Sequence, residues 1–253
     1  MSIDLPPLHQ DLRFNAPMSV ERARRLAGFA GAGAGHVLDV GCGWGEMLLT
    51  TLEVSPAGWG TGVDIDARGL DHARQLAVER NLADRVRFIH GDGAELAPRP
   101  VDAVLSIGAR HVWGADDATA LTALRSLVGR GAHVVYGDGI WRRSPTPAAI
   151  EPLGGDPGEF GSLADVVDAA LAAEFRVRDV AEATQQEWDA FESGYSARYE
   201  RWLLNHANDD PAASEVRRKA DEHRFGYLRG YRGVLGHSFL QLVAVRPNTA
   251  GTK

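Results

Sequence analysis

The stretch Val37-Leu38-Asp39-Val40-Gly41-Cys42-Gly43-Trp44-Gly45 decides the fold, because a short apolar strand runs into three glycines at two-residue steps and then into an amphipathic run from Glu46 to Glu53. A glycine turn between a first parallel strand and a helix lets backbone approach a ligand closely and points the helix N-terminus at it. It reads as a nucleotide-type cradle. The spacing separates it from the dinucleotide fingerprint, which wants its third glycine three residues after the second; here that place is Glu46 and the third glycine comes one residue earlier.

Outward from this turn, short β-branched runs alternate with helical stretches, the pattern of βαβ units and a parallel sheet. The predicted strands are His36 to Val40, Trp59 to Ile65, Val86 to His90, Val101 to Ile107 and Ala132 to Tyr136, followed later by Phe175 to Ala183 and His237 to Arg246. Helices are predicted over Ser19 to Phe29, Ala67 to Asn81, Asp116 to Val128 and Leu163 to Ala173, with Asp66 and Asp116 as N-caps. Ile140 to Gly161 carries four prolines and reads as a long irregular connection. Beyond it, Trp188, Phe191, Tyr195, Tyr199, Trp202 and His206 recur at three- and four-residue steps, as do Val216, Ala220, His223, Tyr227 and Tyr231. Such aromatic stripes are first of all packed helix faces; a second use is to line a pocket that the helix pair caps.

Two further carboxylates stand where strands end. Asp64, in Gly62-Val63-Asp64-Ile65-Asp66, lies nineteen residues past Gly45 and can accept hydrogen bonds from both hydroxyls of a ribose. Asp92 with Gly93 follows the third strand, where a carboxylate accepts from an exocyclic amine and the neighbouring N–H donates to a ring nitrogen.

Composition limits the reading. The chain has 253 residues, 44% apolar and 24% charged, an ordinary globular balance at a size that buries a core without disulfide or metal. Cys42 is the single cysteine, which excludes an intramolecular disulfide framework and any cysteine-cluster zinc site and suits a reducing compartment. The net charge of −7 disfavours a phosphate-backbone partner, and the basic run from Arg217 to Arg232 is interleaved with acids at helical spacing. No apolar run is long enough to span a membrane, and Asp4, Pro6, Pro7 and Asp11 interrupt any signal-peptide core. The expected setting is cytoplasmic.

Taken together, the strand-turn-helix at 37–48, Gly62 to Asp66, the stretch Ile89-His90-Gly91-Asp92-Gly93 and the segment from Asp102 to Trp113 resemble class I methyltransferases that use S-adenosylmethionine, over about residues 15–140. The resemblance implies an α/β fold: a doubly wound, mostly parallel seven-stranded sheet with an antiparallel last strand, and a helical lid at 186–233 inserted before that strand. The whole of 1–253 is then a single domain, with a cofactor-binding core at 15–140 and a connection at 141–161. Asn15-Ala16-Pro17, Gly137 to Trp141 and Gln186-Glu187-Trp188-Asp189 look like a bacterial subgroup acting on small molecules.

In such enzymes the counterparts of Asp39, Gly41, Gly43 and Gly45 hold the methionine end of S-adenosylmethionine. Asp64 holds the ribose; Ile65, Asp92 and Gly93 hold the adenine; the backbone around Ser106 meets the amino group and sulfonium. His111, just past the fourth strand, is the candidate general base. Trp113, Trp141, Tyr195 and Tyr231 are candidate substrate contacts. Base-methylating relatives carry an Asn/Asp-Pro-Pro-aromatic motif where this chain reads Ser106-Ile107-Gly108-Ala109, and C5 methylation needs a cysteine that this chain has only in its glycine loop. Asp116, Asp117 and Asp138 are the carboxylates a metal-dependent variant would use; the metal-independent reading is the simpler one. The expected partner is a small-molecule acceptor, with no nucleic acid and no membrane, and a homodimer is compatible. A nicotinamide oxidoreductase and a cofactor-binding protein without methyl transfer are the rival readings.

Overall fold

The computed structural model describes residues 3–96, 100–114, 116–207 and 209–245. The chain forms two compact units. One comprises Val20–Asp138, Leu163–Glu182 and Ser238–Lys253; the other comprises Met1–Ser19, Gly139–Ser162 and Ala183–His237.

The first of these is built on a sheet. Strands β1 (His36–Val40), β2 (Trp59–Asp64), β3 (Val86–His90), β4 (Val101–Ile107) and β5 (Val128–Gly137) lie parallel in the order β3-β2-β1-β4-β5. Strands β7 (Phe175–Glu182) and β8 (Leu235–Ala244) complete it; β8 pairs antiparallel with both β5 and β7. These seven strands, with β8 antiparallel to its neighbours, are the expected sheet. The predicted extension of the last strand to Arg246 lies outside the described residues. Chain order reverses between β1 and β4, where Asp39 pairs with Leu105. In open α/β sheets ligands bind in the crevice at such a switch point, beyond the carboxyl ends of the strands.

Helices α1 (Val20–Ala30), α2 (Glu46–Val54), α3 (Ala67–Glu79), α4 (Asp117–Ser126) and α6 (Leu163–Ala172) accompany the sheet. Val37, Val40, Ala103, Val104, Leu105, Val134 and Val135 are buried, as a parallel strand covered on both faces requires. Leu26, Leu48, Leu52, Leu70, Leu121 and Leu124 present the apolar helix faces. The caps form as predicted: Asp66 accepts from Arg68 N at 3.1 Å and Asp116 from Thr119 N at 2.8 Å. Strand β5 begins at Val128, four residues before the predicted start, because Val128 is buried and pairs with Val101 ahead of an irregular register step.

The second unit is mainly helical. Its long helices are α7 (Gln185–Asn205) and α8 (Ala213–Phe225), the latter running on into a π-helical turn, Gly226–Tyr231. These are the helices predicted over 186–233. Tyr199, Trp202, Ala213, Val216 and Ala220 form their apolar core, joined by Ile3, Leu5 and Leu203. A capping box that the sequence reading missed starts α7: Thr184 Oγ1 accepts from Glu187 N at 3.2 Å, and Glu187 Oε2 accepts from Thr184 N at 2.8 Å. The predicted irregular connection holds a short helix, α5 (Pro147–Ile150), and is preceded by one extra strand, β6 (Gly139–Trp141), paired antiparallel with Leu235, Gly236 and His237. No described helix is long and apolar enough to cross a membrane.

Candidate active site

The glycine loop after β1 is held by backbone. Gly41 N and Cys42 N both donate to Val63 O, at 2.9 and 3.1 Å, hooking the loop onto the end of β2. Gly41, Gly43 and Gly45 all have positive φ, +70°, +53° and +76°, a region other residues enter only at a cost. Two of the three glycines are also forced by packing. A Cβ on Gly41 would stand 2.6 Å from Ala109 Cβ, and one on Gly45 2.8 Å from the Phe88 ring. Gly43 differs: nothing lies within 4 Å of the position its Cβ would take, so its backbone faces open space.

Asp64 braces this loop. Its Oδ2 accepts from Gly43 N at 2.7 Å and its Oδ1 from Asp66 N at 2.8 Å, so one carboxylate links the glycine loop to the start of α3. Each carboxylate oxygen offers a second lone pair to a ligand. Asp39 is buried at 4% exposure, and its Oδ2 has no hydrogen-bond partner. Burial, with the Asp64 charge as a second cause, holds its carboxyl well above the usual carboxylate range. A buried acceptor left unpaired is expensive, and a ligand ammonium or N–H group meets that need. Burial likewise pushes the Cys42 thiol up, so it is an inert wall of the loop.

Next to the loop, Ile65 is 70% exposed and offers a bare apolar face. Asp92 is exposed and caps the turn Gly93–Glu95 by accepting from Ala94 N at 2.8 Å. Gly93 packs so tightly that a Cβ would meet Val40 Cγ1 at 2.5 Å. Ser106 is fully buried near the end of β4, and its hydroxyl has no partner. All nine cofactor candidates therefore fall in the sheet unit, on or directly after β1 to β4.

After β4 the chain turns sharply through Gly108 and the 3-10 turn Arg110–Val112. His111 is exposed, with no hydrogen bond or ion pair among the described residues, and Trp113 is half-buried. A polar network unseen in the sequence fixes this turn. Tyr136 OH donates to Asp117 Oδ1 at 2.5 Å, Arg110 stands 3.9 Å from Asp117 Oδ2, Arg110 N donates to Asp138 Oδ2 at 3.0 Å, and Gly108 N donates to Gly137 O at 2.8 Å. Asp116, Asp117 and Asp138 thus each serve a cap, a hydroxyl or a backbone N–H. Among the described residues no group of three or more His, Cys, Asp or Glu could hold a metal ion.

The other candidates lie in the helical unit. Trp141 is buried, donates its Nε1 to Pro157 O at 2.9 Å and meets Phe160 edge-on at 5.4 Å, so its polar group is spent within the connection. Tyr195 and Tyr231 share one neighbourhood: Tyr195 stacks on His223 at 4.6 Å, His223 Nε2 stands 2.8 Å from Glu192 Oε2 without either atom making a hydrogen bond among the described residues, and burial, with the Glu192 charge as a second cause, pushes the Tyr231 hydroxyl up.

A family profile described as a methyltransferase domain matches residues 37–131. An uncharacterized protein of Escherichia coli, YjhP, is 30% identical over 212 residues, covering 83% of this chain and 84% of its own. A mitomycin biosynthesis 6-O-methyltransferase of Streptomyces lavendulae is 30% identical over 101 residues, covering 40% of this chain and 29% of its own. Among solved structures, an S-adenosylmethionine-dependent methyltransferase of Geobacter sulfurreducens, crystallised with S-adenosyl-L-homocysteine, superposes with a TM-score of 0.83 at 27% identity, covering 96% of this chain and 100% of that one. With its sheet order, its glycine loop braced by Asp64 and these likenesses, the chain belongs to the class I, Rossmann-like methyltransferases that depend on S-adenosylmethionine.

Proposed function

We propose that the protein binds S-adenosylmethionine on the sheet unit and transfers its methyl group, without a metal, to O, N or C of a small-molecule acceptor, the two units serving a single methyltransferase domain. The observation that carries this reading is the pairing of an open, positive-φ backbone at Gly43 with the unpartnered carboxylate oxygen of Asp39. These residues fit the cofactor: the unpartnered oxygen of Asp39 and the open backbone at Gly43 suit the methionine end, Asp64 the ribose, and Ile65, Asp92 and Gly93 the adenine. When bound, the cofactor supplies an activated methyl on a sulfonium, so the protein's work is alignment and, for a protonated acceptor, proton acceptance. Ser106 and the turn fixed by Tyr136, Asp117 and Arg110 suit the first task. His111 is one candidate for the second. The likeness to a mitomycin biosynthesis 6-O-methyltransferase supports a small organic acceptor. Trp113, Tyr195 and Tyr231 are the proposed acceptor contacts.

Calorimetry tests the reading. S-adenosylhomocysteine binds the wild type, and Asp64→Ala, which removes the loop brace and the ribose acceptor together, weakens it by about tenfold or more, the scale of one charge-assisted hydrogen bond. Equal binding by the variant, or saturable binding of NADH in place of S-adenosylhomocysteine, refutes it.

A further inference from the structure

Within the sheet unit, α1 and the β7–β8 edge border a groove of about 500 Å³, a size that suits a small organic molecule. Helix α1 contributes Arg25, Gly28, Phe29 and Ala32, and the strands contribute Arg178, Asp179 and Gln241. A β-bulge shapes the strand side. Pairing steps from Val177 opposite Leu242 to Asp179 opposite Gln241, so Arg178 is an extra residue on β7 with no counterpart on β8. Bulges re-aim side chains and recur beside functional sites. The Arg178 guanidinium lies over the Phe29 ring, 5.3 Å from its centroid, and makes no hydrogen bond or ion pair among the described residues. Phe29 is itself held: its ring stacks on His133 at 4.4 Å, and its carbonyl stands 2.7 Å from His133 Nδ1. The end of α1 leads into the amino end of β1, whereas the glycine loop leaves the carboxyl end, so the groove shares no residue with the cofactor candidates.

Two features of the groove are left unexplained by packing. Gln241 is 6% exposed, on a strand whose Phe239, Leu240 and Leu242 are buried, yet its side-chain amide makes no hydrogen bond among the described residues. An unpartnered amide at that depth costs about 1–3 kcal/mol, which an acceptor on a ligand offsets. Gly28 stands inside α1, where glycine costs about 1 kcal/mol against alanine, and nothing lies within 4 Å of the place its Cβ would take. The bare backbone there leaves room. The charges then select the ligand. Arg25 Nη2 stands 3.7 Å from Asp179 Oδ2, so that pair balances itself and Arg178 leaves the lining with one net positive charge. A guanidinium lying on a ring keeps its edge N–H groups for the two oxygens of a carboxylate, and the Gln241 amide adds a donor to the same anion. A dianion would be repelled by Asp179; a monoanion matches the charge.

We infer that this groove is a second ligand site, separate from the cofactor candidates, for a small monocarboxylate with an apolar body: Arg178 and Gln241 hold the carboxylate, and Gly28, Phe29 and Ala32 receive the body. The inference stands apart from the methyltransferase reading and requires nothing of it.

The probe is benzoate, titrated into the full chain while the side-chain amide of Gln241 and the backbone N–H of Gly28 are followed by NMR. Saturable shifts are expected at both, with affinity about tenfold weaker in Arg178→Gln and for the neutral isostere benzamide on the wild type, the scale of one charge-assisted hydrogen bond. Gln241→Leu, read at Gly28, binds several-fold more weakly, and Gly28→Leu fills the groove and abolishes binding. Asp179→Asn, which removes the like charge, binds about two- to fivefold more tightly. Near-ultraviolet circular dichroism checks that each variant is folded. No saturation with benzoate, equal binding by folded Arg178→Gln and Gln241→Leu, or inorganic phosphate binding more tightly than benzoate overturns the carboxylate site.

Discussion

Asp39 carries the sharpest residue-level consequence. Its folded-state pKa is raised by burial and by the Asp64 charge, so its contribution to the stability of the cofactor-free protein is complete below the unfolded value, about 4, and is lost as pH rises toward the folded one. Asn does not titrate. Asp39→Asn is therefore expected to be more stable than the wild type at neutral pH by about 1–3 kcal/mol, the cost of an unsatisfied buried group, with the advantage vanishing near pH 4. Urea unfolding across that range measures it, and the same variant binds S-adenosylhomocysteine more weakly. A stability difference that does not change with pH counts against Asp39 as the buried titrating group. The role of Asp64 shows where residue-level reading stops. Its position at the end of a strand was legible, but its bond to Gly43 N was not, because that contact spans 21 residues and depends on β1 and β2 lying side by side.

Within the elements, the three loop glycines are separable by experiment. Gly45→Ala puts a methyl against the Phe88 ring and Ala73 at a φ of +76°, and should cost about 2–4 kcal/mol in urea unfolding, the sum of left-handed strain and overpacking. Gly43→Ala meets no neighbour, should cost only about 1–2 kcal/mol, and yet should weaken S-adenosylhomocysteine markedly if that open space belongs to the ligand. Comparable binding by Gly43→Ala and wild type would show the space to be solvent. Strands β1 to β4 and the caps at Asp66 and Asp116 were readable because their signals are local: apolar runs, period and a side-chain oxygen two or three residues from its donor. The Thr184 and Glu187 capping box is equally local, its two side chains three residues apart at the head of the aromatic stripe. The π-helical turn has no such signature; a winding of that kind is set by packing, here by Gly226 and Gly230 against Pro152 and Ala148.

For the whole molecule, binding that favours the folded state raises its stability by mass action. At a hundredfold excess over its dissociation constant S-adenosylhomocysteine should add about 2.7 kcal/mol, a rise in Tm of about 5–10 °C for a chain of this size, whereas NADH should leave Tm unchanged. A reversed ligand preference would return the oxidoreductase to first place. The sequence by itself determined the α/β class, the parallel strands alternating with helices around the glycine turn and the absence of a cysteine outside that turn. Those features are written in neighbouring residues, whose period, glycines and end-of-strand carboxylates act over a few positions. Only the tertiary structure decided that Tyr136, Asp117 and Arg110 fix the turn after β4, that the polar group of Trp141 is spent on Pro157, and that Glu192, on the same helical stripe as Tyr195, is buried against His223. Burial and partnership across 16 to 31 residues arise from how strands and helices pack, and a side chain's chemistry follows from the neighbours that packing supplies.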